Sequence, residues 1–164
     1  MFESPARLAE DVLGLLDTLR TLAHGRYAVV FEPKGILFES TEPEATGHWV
    51  LRRFLEPRTE ALFGIPAALA SGAAMEDVFA DWSAPAGEEE DEFYMAFLNG
   101  RVGLLVACPD AEALKAQADE PLRVLADRLL RYNAAWRLDE KGRGLFFGQP
   151  RLDVVVVGRL RVDD

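Results

Sequence analysis

The chain has 164 residues, a formal net charge of -10 at pH 7, 49% hydrophobic residues and 28% charged ones. That length suits one domain able to bury roughly 70% of its unfolded surface, and the composition excludes wholesale disorder. The acidic balance disfavours a phosphate backbone as partner, and no run approaches the ~18–20 apolar residues that span a bilayer.

No basic-then-apolar leader opens the sequence, so the cytoplasm is the expected address. The single cysteine, Cys108, precludes an intrachain disulfide and reads as a buried, inert thiol at the end of an apolar strand. Fifteen of the eighteen basic residues are arginine, a bias that by itself points to no activity.

Ser4-Pro5 reads as a helix start, because serine caps free backbone N–H groups and proline at the first position loses no bond. The spacing of Leu8, Val12, Leu15, Leu19 and Leu22 predicts one apolar stripe. Gly25 is the expected stop, with His24 in a capping role beside it. Tyr27–Phe31 and Ile36–Glu39 then read as strands joined by a tight turn at Pro33-Lys34-Gly35.

Thr41 and Glu44 have capping-box spacing, so a second helix is expected from near Glu42, with Trp49, Val50, Phe54 and Leu55 on its apolar side. Pro57 predicts a kink or a fresh helix start, Ala61 to Phe63 continue the helix, and Gly64-Ile65-Pro66 stops it. His48 has no second histidine or cysteine at metal-ligand spacing and reads as a surface position or the helix start. Met75, Val78, Phe79 and Trp82 suit either a helix or a short irregular strand. Glu88 to Glu92 reads as a solvated loop, lacking the glycine and alternate spacing of a calcium loop.

Glu92 to Pro109 is the longest apolar run. Asn99-Gly100 predicts a two-residue hairpin turn between Phe93–Leu98 and Val102–Cys108. The second arm is nearly continuous apolar, as in a strand covered on both faces, and Pro109 ends it. Asp110–Ala118 reads as a short helix and Asp119 as the cap of a longer one with Pro121 in its first turn. Leu122, Leu125, Leu129, Tyr132 and Trp136 predict the side of that helix lying across the sheet, with Arg123, Asp127, Arg128 and Arg131 largely opposite.

In the tail, Gly142–Gly148 and Leu152–Val157 read as strands joined around Gln149-Pro150. Leu152, Val154 and Val156 point one way, Val155 and Val157 the other. Such a strand either completes the protomer's sheet, the preferred reading, or meets another chain. The boundaries this suggests are an α/β domain over residues 1–138 and a C-terminal β extension over 139–164.

No phosphate-binding loop is present, since GRGLFFG at Gly142–Gly148 lacks the lysine and the spacing. No Gly-x-Ser-x-Gly elbow exists either, and Ser71 has no base nearby in sequence. No catalytic residue, cofactor or metal ligand is therefore assigned, and enzyme activity is not expected. An enzyme would need a polar pocket joining His24 or His48 to carboxylates.

AVVFEPKGILFES at Ala28–Ser40 and YMAFLNGRVGLLVACPD at Tyr94–Asp110, with the helices around them, resemble the Roadblock/LC7 family, particularly the bacterial MglB-like proteins. The resemblance covers about Ala9 to Arg131. It implies a profilin-like α+β fold, an antiparallel sheet flanked by helices, here with a C-terminal β extension. It also implies a non-catalytic homodimeric scaffold or regulator, with a small Ras-like GTPase as partner and no cofactor. Dimerisation through the second helix would make Trp49, Val50, Arg52, Arg53 and Phe54 candidate contacts, with core burial the competing role of the apolar three. Val154, Val155, Val156 and Val157 are candidates from the tail. ACPDAEALKAQADEPLRVLADRLL is also similar to the final strand, connector and closing helix of GAF-like domains. That alternative implies a sensory module with a small ligand between the sheet and residues 60–85.

Overall fold

The computed structural model describes residues 5–42, 52–53, 55–74, 92–98, 100, 102–141 and 152–158. In its last helix, side chains are described up to residue 129 and at residue 131. Glu42, near the expected onset of the second helix, is not helical and its N–H donates to the Arg26 carbonyl at 3.1 Å; Trp49, Val50 and His48 lie outside the described residues. So do Phe54, Met75 to Trp82, Glu88 to Asp91, the strand expected at Gly142–Gly148, and the Tyr132 and Trp136 side chains.

Helix α1 spans Pro5–Leu22, and Ser4, its expected cap, lies outside the described residues. Its buried stripe is Leu8, Val12, Leu16 and Leu19, continued by Ala23 just past the helix end. Leu15 only flanks that stripe, and Leu22 is exposed, correcting the expected set by about one position. The helix ends with Gly25 N–H donating to the Arg20 carbonyl at 2.9 Å and His24 N–H to that of Thr21 at 3.1 Å. This closing turn puts His24, not Gly25, in the left-handed region, at φ 55. Gly25 serves a close approach instead, because a Cβ there would stand 2.7 Å from the Ala107 carbonyl oxygen. His24→Gly should therefore stabilise the fold by about 0.5–1 kcal/mol, seen as a raised thermal midpoint. A lowered midpoint would mean that the imidazole supports the helix end.

Five strands follow: β1 (Tyr27–Glu32), β2 (Gly35–Thr41), β3 (Glu92–Leu98), β4 (Val102–Cys108) and β5 (Leu152–Val157). They form one sheet in the order β2-β1-β4-β3-β5, with every neighbouring pair antiparallel. With its helices this is the mixed α+β class that the sequence implied. The β3–β4 register pairs Leu98 with Val102, so three residues connect the strands rather than the two expected, with Gly100 at φ 65. The physical reason is facial. A one-residue slip would turn Phe93, Met95 and Phe97 away from the aromatic side they share with Phe31.

On one side of the sheet, α1 lies over β1 and β2, α4 (Ala111–Gln117) lies against β3 and β5, and α5 (Asp119–Lys141) packs on α1. Val12, Leu16 and Leu19 meet Val30, Leu104 and Val106 there, joined by Leu122, Leu125 and Leu129. Arg123, Asp127 and Arg131 stay exposed on α5, paired Arg123–Asp119 at 3.4 Å and Arg131–Asp127 at 3.2 Å.

Two carboxylates serve the start of α4: Asp110 accepts from Ala113 N–H at 3.0 Å and Glu92 from Ala111 N–H at 2.9 Å. Glu92 is thus the half-buried first residue of β3 rather than part of a solvated loop. Asp119 begins α5 as its first residue, and the Ala118 carbonyl accepts its first bond, from Leu122 N–H at 2.8 Å.

The other side is covered by a strap. Arg52, Arg53 and Leu55 are helical, Glu56–Arg58 makes a 3-10 turn around Pro57, and α2 (Thr59–Leu62) and α3 (Ile65–Ala70) follow. Gly64-Ile65-Pro66 ends α2 as expected, but α3 starts at once, because a proline in a first turn lacks only an N–H that no helix bond needs. Leu55, Leu62 and Ile65 bury against Tyr27, Val29, Phe31 and Phe97. Thr59 Oγ1 donates to the Pro33 carbonyl at 3.0 Å and ties the strap to the β1–β2 turn.

Candidate functional site

Among the described residues the sheet ends in β2 on one side and β5 on the other, and the two strands differ in regularity. β2 carries Glu39, and its ladder to β1 is broken by a register shift between Val30 and Phe31. An irregularity of this kind protects an edge from pairing with another chain. β5, LDVVVV, has one charge, Asp153, with no proline and no glycine. Among the described residues β3 is its only strand neighbour, in a regular register from Leu98–Leu152 to Phe93–Val157.

Alternation divides the tail valines between two environments. Val155 and Val157 are 6% and 3% exposed and belong to the strap-side core of their own protomer. Val156 and Leu152 are half-buried against the helix side, whereas Val154 is 37% exposed on that same side. Of the four candidate interface valines, two are therefore spent on the protomer's own core. Val154 presents the largest apolar surface outward.

The candidate arginines behave differently from one another. Arg53 is exposed. Arg52 Nε lies 2.9 Å from Glu56 Oε1 and 3.5 Å from Glu39 Oε1, so its guanidinium faces β2 and its own segment. Glu39 Oε2 in turn accepts the Tyr27 hydroxyl at 2.6 Å. Burial first, and then that carboxylate, push the Tyr27 hydroxyl far above the ordinary tyrosine range. This group of four side chains fastens the start of the strap to the sheet edge.

A matching tether sits on the helix side one residue later. Ser40 is buried, accepts from Arg20 Nε at 2.8 Å and donates its hydroxyl to Asp17 Oδ1. Arg20 Nη1 also donates to the Gly25 carbonyl at 3.3 Å. The serine hydroxyl is thus engaged as both donor and acceptor, in a structural link between α1 and β2. Consecutive residues Glu39 and Ser40 point to opposite faces, and each is held by an arginine from the layer covering that face. No sequence pattern announces either tether, because both join residues far apart in the chain.

Under the described part of residues 60–85, the expected ligand space holds side chains. Phe63 meets Phe31 and Phe97 edge-to-face at 5.5 and 5.3 Å, and Phe31 meets Phe97 at 6.2 Å. His24 is exposed at the end of α1, and Cys108 is buried at the end of β4. Among the described residues no three His, Cys, Asp or Glu side chains gather as a metal-ligand set. Among them, too, no helix is long and apolar enough to cross a membrane. No protein-family model matches the chain, and no curated protein does either.

Proposed function

We propose that this chain is a non-catalytic interaction module that works as a homodimeric scaffold or regulator. The observation carrying the reading is the contrast between the two sheet edges: β2 is irregular in its pairing, while β5 holds a regular register, carries four consecutive valines and has β3 as its single described strand neighbour. Both sheet faces have their own cover, so the edge is the part of the sheet best suited to meet another chain. A small Ras-like GTPase is the partner class that the Roadblock resemblance suggests for the assembled dimer.

The test is solution mass by light scattering across a range of protein concentration. The reading expects twice the chain mass of 18.2 kDa. A mass that stays at one chain throughout would remove the homodimer and move the interpretation to a single-chain ligand-binding domain. Ending the chain at Asp139 is a poor variant for this purpose, because it would strip β5 from β3 and take Val155 and Val157 out of the core. Arg53→Glu is the better control. It reverses an exposed charge on the other candidate surface and should leave the mass unchanged if β5 is the contact.

A further inference from the structure

We infer that the strap over residues 55–70 is a gate, leaving the sheet as one unit while the strands and the helix layer stay folded. Arg52 is the latch that sets how often it opens. Neither statement depends on the homodimer reading.

The strap cannot hold its own shape. Its helical pieces, Glu56–Arg58, α2 and α3, are three, four and six residues long, and none has a side-chain hydrogen bond at its N-cap. Helices far shorter than ~12–15 residues do not persist alone in water. They form here because Leu55, Leu62 and Ile65 are seated on the aromatic side of the sheet. Seating and helix formation are thus a single event, and losing one loses the other.

The sheet draws its backbone pairing from elsewhere. Within the strap, Phe63 and Gly64 N–H donate to the Glu60 and Ala61 carbonyls at 3.2 and 3.1 Å, and Ala68 N–H to that of Gly64 at 3.1 Å. β1, which carries Tyr27, Val29 and Phe31 beneath the strap, is laddered on both sides, to β2 and β4. Its opposite face, with Ala28 and Val30, belongs to the helix-side core. Removing the strap therefore breaks no ladder bond, and an opening of this kind costs less than global unfolding.

Polar ties decide where the unit is fastened. Thr59 Oγ1 holds its middle to the Pro33 carbonyl at 3.0 Å. At its start, Arg52 Nε stands between two carboxylates, Glu56 Oε1 of the strap at 2.9 Å and Glu39 Oε1 of β2 at 3.5 Å. The Tyr27 hydroxyl, donating to Glu39 Oε2, fixes the receiving side. One guanidinium thus joins strap to sheet and separates like charges. Without it, Glu39 and Glu56 are left near each other, and attraction turns to repulsion.

Thiol labelling reads the gate, because the native Cys108 is buried in the helix-side core and Val29 in the strap-side core. Val29→Cys keeps nearly the same volume under the strap. With each rate divided by that of the unfolded chain, the thiol at position 29 should react about tenfold or more faster than Cys108. Adding Arg52→Gln should speed position 29 about two- to fivefold and leave Cys108 unchanged. Hydrogen exchange makes the same comparison in the unsubstituted chain. The amides of Phe63 and Ala68 should exchange ahead of those of β1, with a shallower dependence on denaturant. Equal labelling at positions 29 and 108, or one shared denaturant dependence, would overturn the gate. A fast position 29 that ignores Arg52→Gln, or a variant that speeds both thiols alike, would overturn the latch.

Discussion

Gly103→Ala should destabilise the fold by about 3 kcal/mol, lowering the thermal midpoint by roughly 6–12 °C. Gly103 stands opposite Phe31 on β1 and Phe97 on β3. A Cβ there would lie 2.4 Å from Phe31 Cζ and 2.5 Å from its Cε2, inside any real contact distance. The obstacle is a ring boxed in by Phe63 and Phe97 rather than the free end of a flexible chain. Relief requires moving that ring, which loosens its edge-to-face contacts and the strap above it. The double variant Gly103→Ala with Phe31→Leu should lose less than the sum of the two single changes, the signature of a shared contact. Strict additivity would show that the ring can swing aside without cost.

Alkaline pH should unfold the protein through its buried tyrosines. Tyr94 is 1% exposed on the helix side of β3. Burial, and secondarily the Asp119 carboxylate, push its hydroxyl from 10.0 up to about 12. The unfolded chain releases this proton near pH 10, while the folded chain keeps it until about pH 12. The stabilisation is therefore fully present below pH ~10 and lost as pH rises through the folded value. A gap of this size is on the order of 2–3 kcal/mol, and Tyr27 is displaced in the same direction. Tyr94→Phe should shift the alkaline midpoint upward when unfolding is followed by circular dichroism. Parent and variant unfolding at the same pH would mean that another group controls the transition.

Much of this architecture is legible in residue order because it rests on short-range rules. Pro5, the period of α1, Gly35, the apolar arms around Asn99-Gly100 and the alternation of Leu152–Val157 each specify their element locally. The misses are where tertiary packing overrides a local signal. His24 takes the left-handed position because its neighbour Gly25 is needed against the Ala107 carbonyl. The hairpin takes three connecting residues because the facing of Phe97 fixes the register.

The candidate site was less legible than the fold. Alternation separated Val154 from Val155, but only the placement of β5 beside β3 decides which of them remains exposed. Likewise, nothing local links Arg52 to Glu39 or Arg20 to Ser40, since such contacts depend on which layer covers which face.

The most direct test of the central claim is backbone hydrogen exchange on β5 in the full chain, measured at low and high protein concentration. On an open edge, alternate N–H groups of Leu152–Val157 point away from β3 and exchange quickly. If a second copy completes the ladder, those amides should become protected as concentration rises, while β1 and β4, already paired on both sides, stay unchanged. Fast exchange in that alternate set at every concentration would contradict the account.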